Sequence, residues 1–100
     1  MDVARLAKVM KALASQKRVE LYLEIVKKSE AGFKAEGECF IMEIIGSLNI
    51  GAPTISHHLK ELANADLITT ERRGKYLIAK VNEKTIADAT STLKIRGRKS

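Results

Sequence analysis

The sequence predicts a mainly α-helical domain with a small β-hairpin: about five helices and two strands. Three observations predict it. Apolar residues recur every three to four positions through most of the chain. Alternation is confined to the stretch after Ala65. A chain of 100 residues, 45% apolar and 30% charged, fits one small domain spanning 1–100. With two Phe, two Tyr and no Trp, its core is expected to be aliphatic.

Val3, Leu6, Ala7, Met10 and Leu13 share a helical face behind Asp2, a suitable N-cap. A second helix starts near Ser15. Its Val19, Tyr22, Leu23 and Val26 are joined by Leu21 and Ile25, so the apolar face widens and the helix should be central and mostly buried. Lys27 and Lys28 suit its negative end. Ser29 to Glu38 holds two glycines and four charges without a period and reads as a loop. Cys39 to Leu48 is apolar enough for a strand or a short buried helix, and periodicity does not choose.

N-I-G-A-P then turns the chain into a helix over about Ala52 to Ala65, with Gly51 near the N-cap and Pro53 in the first turn. Ile55, Leu59 and Leu62 make its inner face. The opposite face carries Pro53, His57, Lys60 and Asn64, flanked by Thr54 and Ser56. L-I-T-T-E-R-R-G-K-Y-L-I-A-K-V reads as two strands around a turn at Arg73 and Gly74, with Leu77, Ala79 and Val81 on one side and Arg72, Arg73 and Lys75 at the tip. Asn82 is placed to cap a last helix in which Ile86, Ala89 and Leu93 share a face, before a basic tail over 94–100.

Charge adds direction to this layout. Residues 1–70 hold nine basic and nine acidic side chains, and residues 71–100 hold nine basic and three acidic, so the formal net charge of +6 lies in the last third. Such asymmetry points to a polyanion, nucleic acid first and an anionic membrane second. Transmembrane and signal-peptide runs are missing from the sequence, and the lone Cys39 excludes an intrachain disulfide framework. A cytoplasmic protein is expected. The sequence also lacks phosphate-cradling glycine loops, H-E-x-x-H and serine-elbow motifs, so no enzyme is expected and no cofactor is assigned.

Two helices, a short element, a turn, a helix with a polar outer face, a basic-tipped hairpin and a final helix compose a winged helix–turn–helix. A-L-A-S-Q-K-R-V-E-L, T-I-S-H-H-L-K-E-L-A-N-A-D-L-I and R-R-G-K-Y-L-I-A-K-V together resemble the ArsR/SmtB family of dimeric bacterial and archaeal repressors, over about Ala4 to Leu93. The resemblance implies a homodimer joined through the first and last helices, a palindromic operator, and release when an effector binds or a thiol is modified. It places Thr54, Ser56, His57 and Lys60 on DNA. Arg72, Arg73 and Lys75 of the wing are expected to hold phosphate or the minor groove. His58 falls beside the inner face and is read as a packed or hydrogen-bonded histidine.

The family's effector sites are where the chain departs. Many of its metal-sensing members carry E-L-C-x-C-D-L before the recognition helix. An ungapped alignment sets Glu38-Cys39-Phe40-Ile41-Met42-Glu43-Ile44 there, so the two cysteine positions become Phe40 and Met42. One displaced cysteine does not build a thiolate site, and residues 82–100 hold no histidine for the family's other metal site. No metal site is therefore expected. Two alternatives stand beside the metal-free repressor: a thiol-responsive repressor working through Cys39, and a winged helix that binds protein through the acidic loop around Glu30, Glu36 and Glu38.

Overall fold

The structure is a computed structural model that describes residues 1–30, 39–46, 48 and 50–94, with Glu30 and Cys39 described in their backbone alone. The chain runs α1 (Val3–Ala12), α2 (Gln16–Glu30), β1 (Cys39–Phe40), α3 (Met42–Ile45), α4 (Ala52–Asn64), β2 (Ile68–Arg73), β3 (Tyr76–Val81) and α5 (Glu83–Leu93). This is the expected set of five helices with a hairpin. The apolar stretch after Glu38 divides between both readings open to it: two residues extend as β1 and a single turn of helix follows.

Helix starts follow local chemistry. The Asp2 carboxylate accepts from the Arg5 N–H at 2.7 Å and caps α1. The Ser15 hydroxyl accepts from the Arg18 N–H at 3.3 Å ahead of α2. Gly51 stands at the N-cap of α4 with Pro53 in the first turn, where no intrahelical donor is lost. Asn82 departs from expectation: it occupies the N-cap position of α5, but its side chain makes no capping bond. Instead its backbone N–H donates to the Leu67 carbonyl at 2.9 Å, which ties α5 to the start of β2.

The end of α4 is closed more tightly than the sequence suggests. The Asp66 N–H donates to Ala63 O and the Leu67 N–H to Leu62 O, each at 3.0 Å, the paired bonds of a Schellman motif. Asp66 takes the left-handed position with φ 60°, where glycine is usual. Leu62 and Leu67, both fully buried, supply the accompanying apolar contact.

β2 and β3 pair antiparallel from Ile68↔Val81 to Arg73↔Tyr76, and β1 pairs with the other edge of β3 through Cys39↔Ala79 and Phe40↔Ile78. The wing thus carries a short third strand on its root, in the order β1-β3-β2. The turn consists of Gly74 and Lys75, one residue beyond the expected Arg73 and Gly74, so Arg73 ends β2. Gly74 has φ 63° and Lys75 has no positive φ, the pattern of a type II′ hairpin turn.

α2 packs against α4 and β3, and α1 against α5. Val9, Leu21, Ile25, Ile44, Ile55, Leu59, Leu62, Leu67 and Ile68 form the aliphatic core. Three placements differ from the pattern reading. Leu23 of α2 is exposed, so the buried seam of that helix is Leu21, Tyr22 and Ile25. Ile78 and Ala79 of β3 are both buried, although they point to opposite faces of the sheet. On α5 the inner positions are Thr85 and Ala89, while Leu93 is largely open. Ser29 and Glu30, read as the start of a loop, continue α2. The rest of that stretch, 31–38, and the tail over 95–100 lie outside the described residues.

Candidate nucleic-acid interface

The inner face of α4 fixes what its outer face presents. With Ile55, Leu59 and Leu62 buried against α2 and β2, the residues near 180° from them must face solvent. Thr54, Ser56, His57 and Lys60 are all exposed, as are Arg72, Arg73 and Lys75 on the hairpin. The face of α4 offers hydroxyl, imidazole and ammonium groups, each able to hydrogen-bond a base edge or a phosphate.

The helix and the wing meet. A hollow of about 170 Å³ lies between α3, the first half of α4 and the start of β3, and both Ser56 and Lys75 line it with Met42, Ile45 and Tyr76. One candidate from the helix and one from the wing therefore share a surface. Lys75 is further steadied by Tyr76, its Nζ lying 5.6 Å from the ring centroid. Tyr76 in turn packs on Phe40 of β1, with centroids 5.5 Å apart and planes tilted by 43°. Through this contact Phe40 braces the start of β3.

Arg73 is not simply available. Its Nη2 lies 3.2 Å from Oε1 of Glu71 and its Nε donates to Oε2 at 3.4 Å. Residues two apart in a strand point to one side, so the pair was legible in E-R-R as a spacing. The second partner that pattern reading passed over is Arg18. It donates from Nε to Nδ1 of His58 at 3.4 Å and from Nη1 to the Ala12 carbonyl at 3.1 Å, so one guanidinium ties α1, α2 and α4 together. Forty positions separate Arg18 from His58, and no local pattern connects them. His58 is the half-buried, hydrogen-bonded histidine expected of it. Burial, then the Arg18 charge, then His57 hold its pKa below the ordinary histidine value.

Among the described residues, no group of three or more His, Cys, Asp or Glu side chains is placed to hold a metal ion. No helix among them is long and apolar enough to cross a membrane. The backbone of Cys39 pairs with Ala79; the surroundings of its thiol are outside the described residues.

Comparison with known proteins agrees with this geometry. The family model of the bacterial regulatory protein, arsR family, matches residues 35–70, from before β1 to the third residue of β2. The arsenical resistance operon repressor of Bacillus subtilis (strain 168) is 29% identical over 76 residues, which is 76% of this chain and 65% of that protein. The chain thus spans about two thirds of that relative's length. An ArsR-like transcriptional regulator from Rhodococcus sp. RHA1 superposes with a TM-score of 0.73 at 20% identity, over 90% of this chain and 76% of that one. The homodimeric winged helix-turn-helix DNA-binding domain of a possible ArsR-family regulator from Mycobacterium bovis, determined by NMR in solution, superposes with a TM-score of 0.69 at 20% identity over the same shares. At such identities the structural likeness establishes the winged helix–turn–helix fold.

Proposed function

We propose that this chain, whose fold and sequence are similar to ArsR-family regulators, is a cytoplasmic, homodimeric repressor of that type that binds a palindromic DNA operator. α4 enters the major groove with Thr54, Ser56, His57 and Lys60 toward the bases and nearby phosphates. Arg72, Arg73 and Lys75 hold the flanking backbone or minor groove. The observation that carries this reading is the shared hollow of Ser56 and Lys75, which sets the polar face of the helix and the cationic wing on one continuous surface.

The dimer reading has its own support. Val3, Ala7 and Met10 form a stripe along α1 at positions i, i+4 and i+7, with Val3 81% and Met10 42% exposed. α5 packs beside α1 and leaves Leu93 57% exposed. Apolar residues open to water on two adjacent helices suit a self-complementary interface about a two-fold axis. Such a dimer sets two recognition helices about 34–36 Å apart, one turn of DNA. The name of the Bacillus subtilis relative, a repressor, favours repression over activation.

Selection of bound sequences from a random duplex pool, followed by fluorescence anisotropy at several salt concentrations, tests the proposal. Two inverted half-sites about one helical turn apart are expected. If roughly six to ten phosphates are neutralised per dimer, log affinity falls against log salt with a slope of about −5 to −9. Weak binding that does not respond to salt would overturn the reading. Capture of a protein partner by the acidic segment 30–38 with no DNA binding would favour the interaction-module alternative.

A further inference from the structure

A second opening lies away from the Ser56–Lys75 hollow, where the end of α1, the first turn of α2 and the last turns of α4 meet. It has a volume of about 480 Å³ and is lined by Lys8, Lys11, Arg18, Glu61 and Asn64, with Ala12 and Ala65 at its apolar edge. That volume falls within the range of small-ligand sites, roughly 300–1,000 Å³. Three cations and one carboxylate make this wall net positive, whereas residues 1–70 taken together are neutral.

Of these four charges, only Arg18 makes a side-chain hydrogen bond or ion pair among the described residues. Lys8 and Lys11 sit one turn apart on α1, and neither makes an ion pair or side-chain hydrogen bond among the described residues. Like charges at this spacing repel. Arg18 is held in place by His58 and Ala12, through Nε and Nη1, which leaves Nη2 with no protein acceptor among the described residues. Glu61 also stands in the wall without an ion pair there. A pre-positioned guanidinium beside two unneutralised ammonium groups suits an oxyanion, because charge-assisted hydrogen bonds to it are about twice as strong as neutral ones.

Glu61 and Asn64 narrow the class. A carboxylate in the wall opposes a second phosphate but accepts hydrogen bonds from hydroxyl groups, and a neutral carboxamide both accepts from and donates to them. We propose that this cleft binds a small phosphomonoester that also carries hydroxyl groups, of the size and chemistry of a sugar phosphate. Lys8, Lys11 and Arg18 receive the phosphoryl oxygens, and Glu61 and Asn64 receive the hydroxyls. The wall carboxylate and the position at the C-terminal end of α4 favour this ligand over a duplex backbone, which the outer face of α4 and the wing address.

The test is a titration of the full chain, without DNA, followed by ¹H–¹⁵N NMR at constant ionic strength. The probes are ribose 5-phosphate, ribose and inorganic phosphate. Ribose 5-phosphate should give saturable shifts centred on Lys8, Lys11, Arg18 and Glu61; ribose should give none, and inorganic phosphate should bind at least about tenfold more weakly. The double variant Lys8→Ala with Lys11→Ala should weaken ribose 5-phosphate at least about tenfold with an unchanged melting temperature, since both side chains are exposed. Glu61→Gln should tighten inorganic phosphate and so narrow the gap between the two anions. Absence of saturable shifts, equal affinity for the two anions, or indifference to the double variant would each overturn the proposal. So would a double variant that flattens the salt dependence of DNA binding while the wild type binds no small anion, which would make the cleft a duplex contact. Because the titration contains no DNA, its failure leaves the repressor reading standing, and the converse also holds.

Discussion

Replacing Glu71 by Gln should strengthen DNA binding, although Glu71 itself is not expected to touch a base. In the free protein Arg73 is held by Glu71 through Nε and Nη2, and to grip a phosphate it must give up that pair. The two side chains are 50% and 57% exposed, so the pair belongs with surface ion pairs worth about 0.2–1 kcal/mol. A dimer pays it twice, about 0.4–2 kcal/mol, equivalent to roughly a 2–30-fold gain in affinity when the carboxylate is removed. The measurement is anisotropy on one operator duplex at roughly 50–100 mM salt, where screening leaves the effect visible. Removing Glu71 also removes a negative charge from the wing, so a cycle with Arg73→Ala isolates the pair. Coupling between the two substitutions is expected. Additive effects, or an E71Q protein that binds no better than wild type, would refute the reasoning.

Three further outcomes follow from other parts of the structure. Arg73→Ala should weaken all duplexes alike and flatten the salt slope, whereas Thr54→Ala or His57→Ala should also relax base preference; a uniform loss for all three would refute the division of roles. Asp66→Gly should stabilise the fold by up to about 1–2 kcal/mol in urea denaturation, because the left-handed φ of 60° strains any residue with a Cβ. The Arg5–Asp66 contact that it removes, 3.9 Å long and exposed, offsets little of this, and a destabilised variant would show that the cap depends on the carboxylate. Stability should fall as pH drops through about 6.5, the unfolded histidine value. The lowered pKa of His58 means the unfolded chain takes up a proton that the folded one resists, and the loss is complete only below the folded value. Melting curves at about pH 5.5 and 7.5 should show that difference shrinking in His58→Gln; an unchanged difference would deny His58 this role.

The helices were legible because their inner faces are aliphatic and their starts carry ordinary caps: Asp2, Ser15, and Gly51 with Pro53. The exposed face of α4 followed from the same periodicity, since fixing Ile55, Leu59 and Leu62 inward fixes His57 and Lys60 outward. What escaped the pattern depends on tertiary partners. Ile78 is buried on the face of β3 that alternation assigns to solvent, and β1, too short to signal itself, pairs alongside it. Thr85 replaces an apolar residue on the inner face of α5, so periodicity set the face but missed its most buried member. Asp66 gave no sign of a left-handed cap because glycine is the usual signal there. Arg18 meets His58 only once α2 and α4 have packed.

Glu71 also bears on why the proposed repressor would keep a restrained wing. Cations that grip phosphate strengthen binding to every duplex, operator or not, and a genome offers roughly 10⁶–10⁹ competing sites. What matters for regulation is the ratio of specific to non-specific affinity. On the proposed reading Arg73 supplies attraction without sequence information, and its carboxylate partner lowers that attraction on all DNA equally. Thr54 and Ser56 carry no charge, so on the proposed reading the face of α4, Lys60 apart, adds discrimination without adding much indiscriminate affinity. On this account E71Q should tighten random duplex by the same factor as operator and leave the ratio unchanged. A gain confined to operator would mean instead that the wing of this protein reads sequence, through Arg73 in the minor groove.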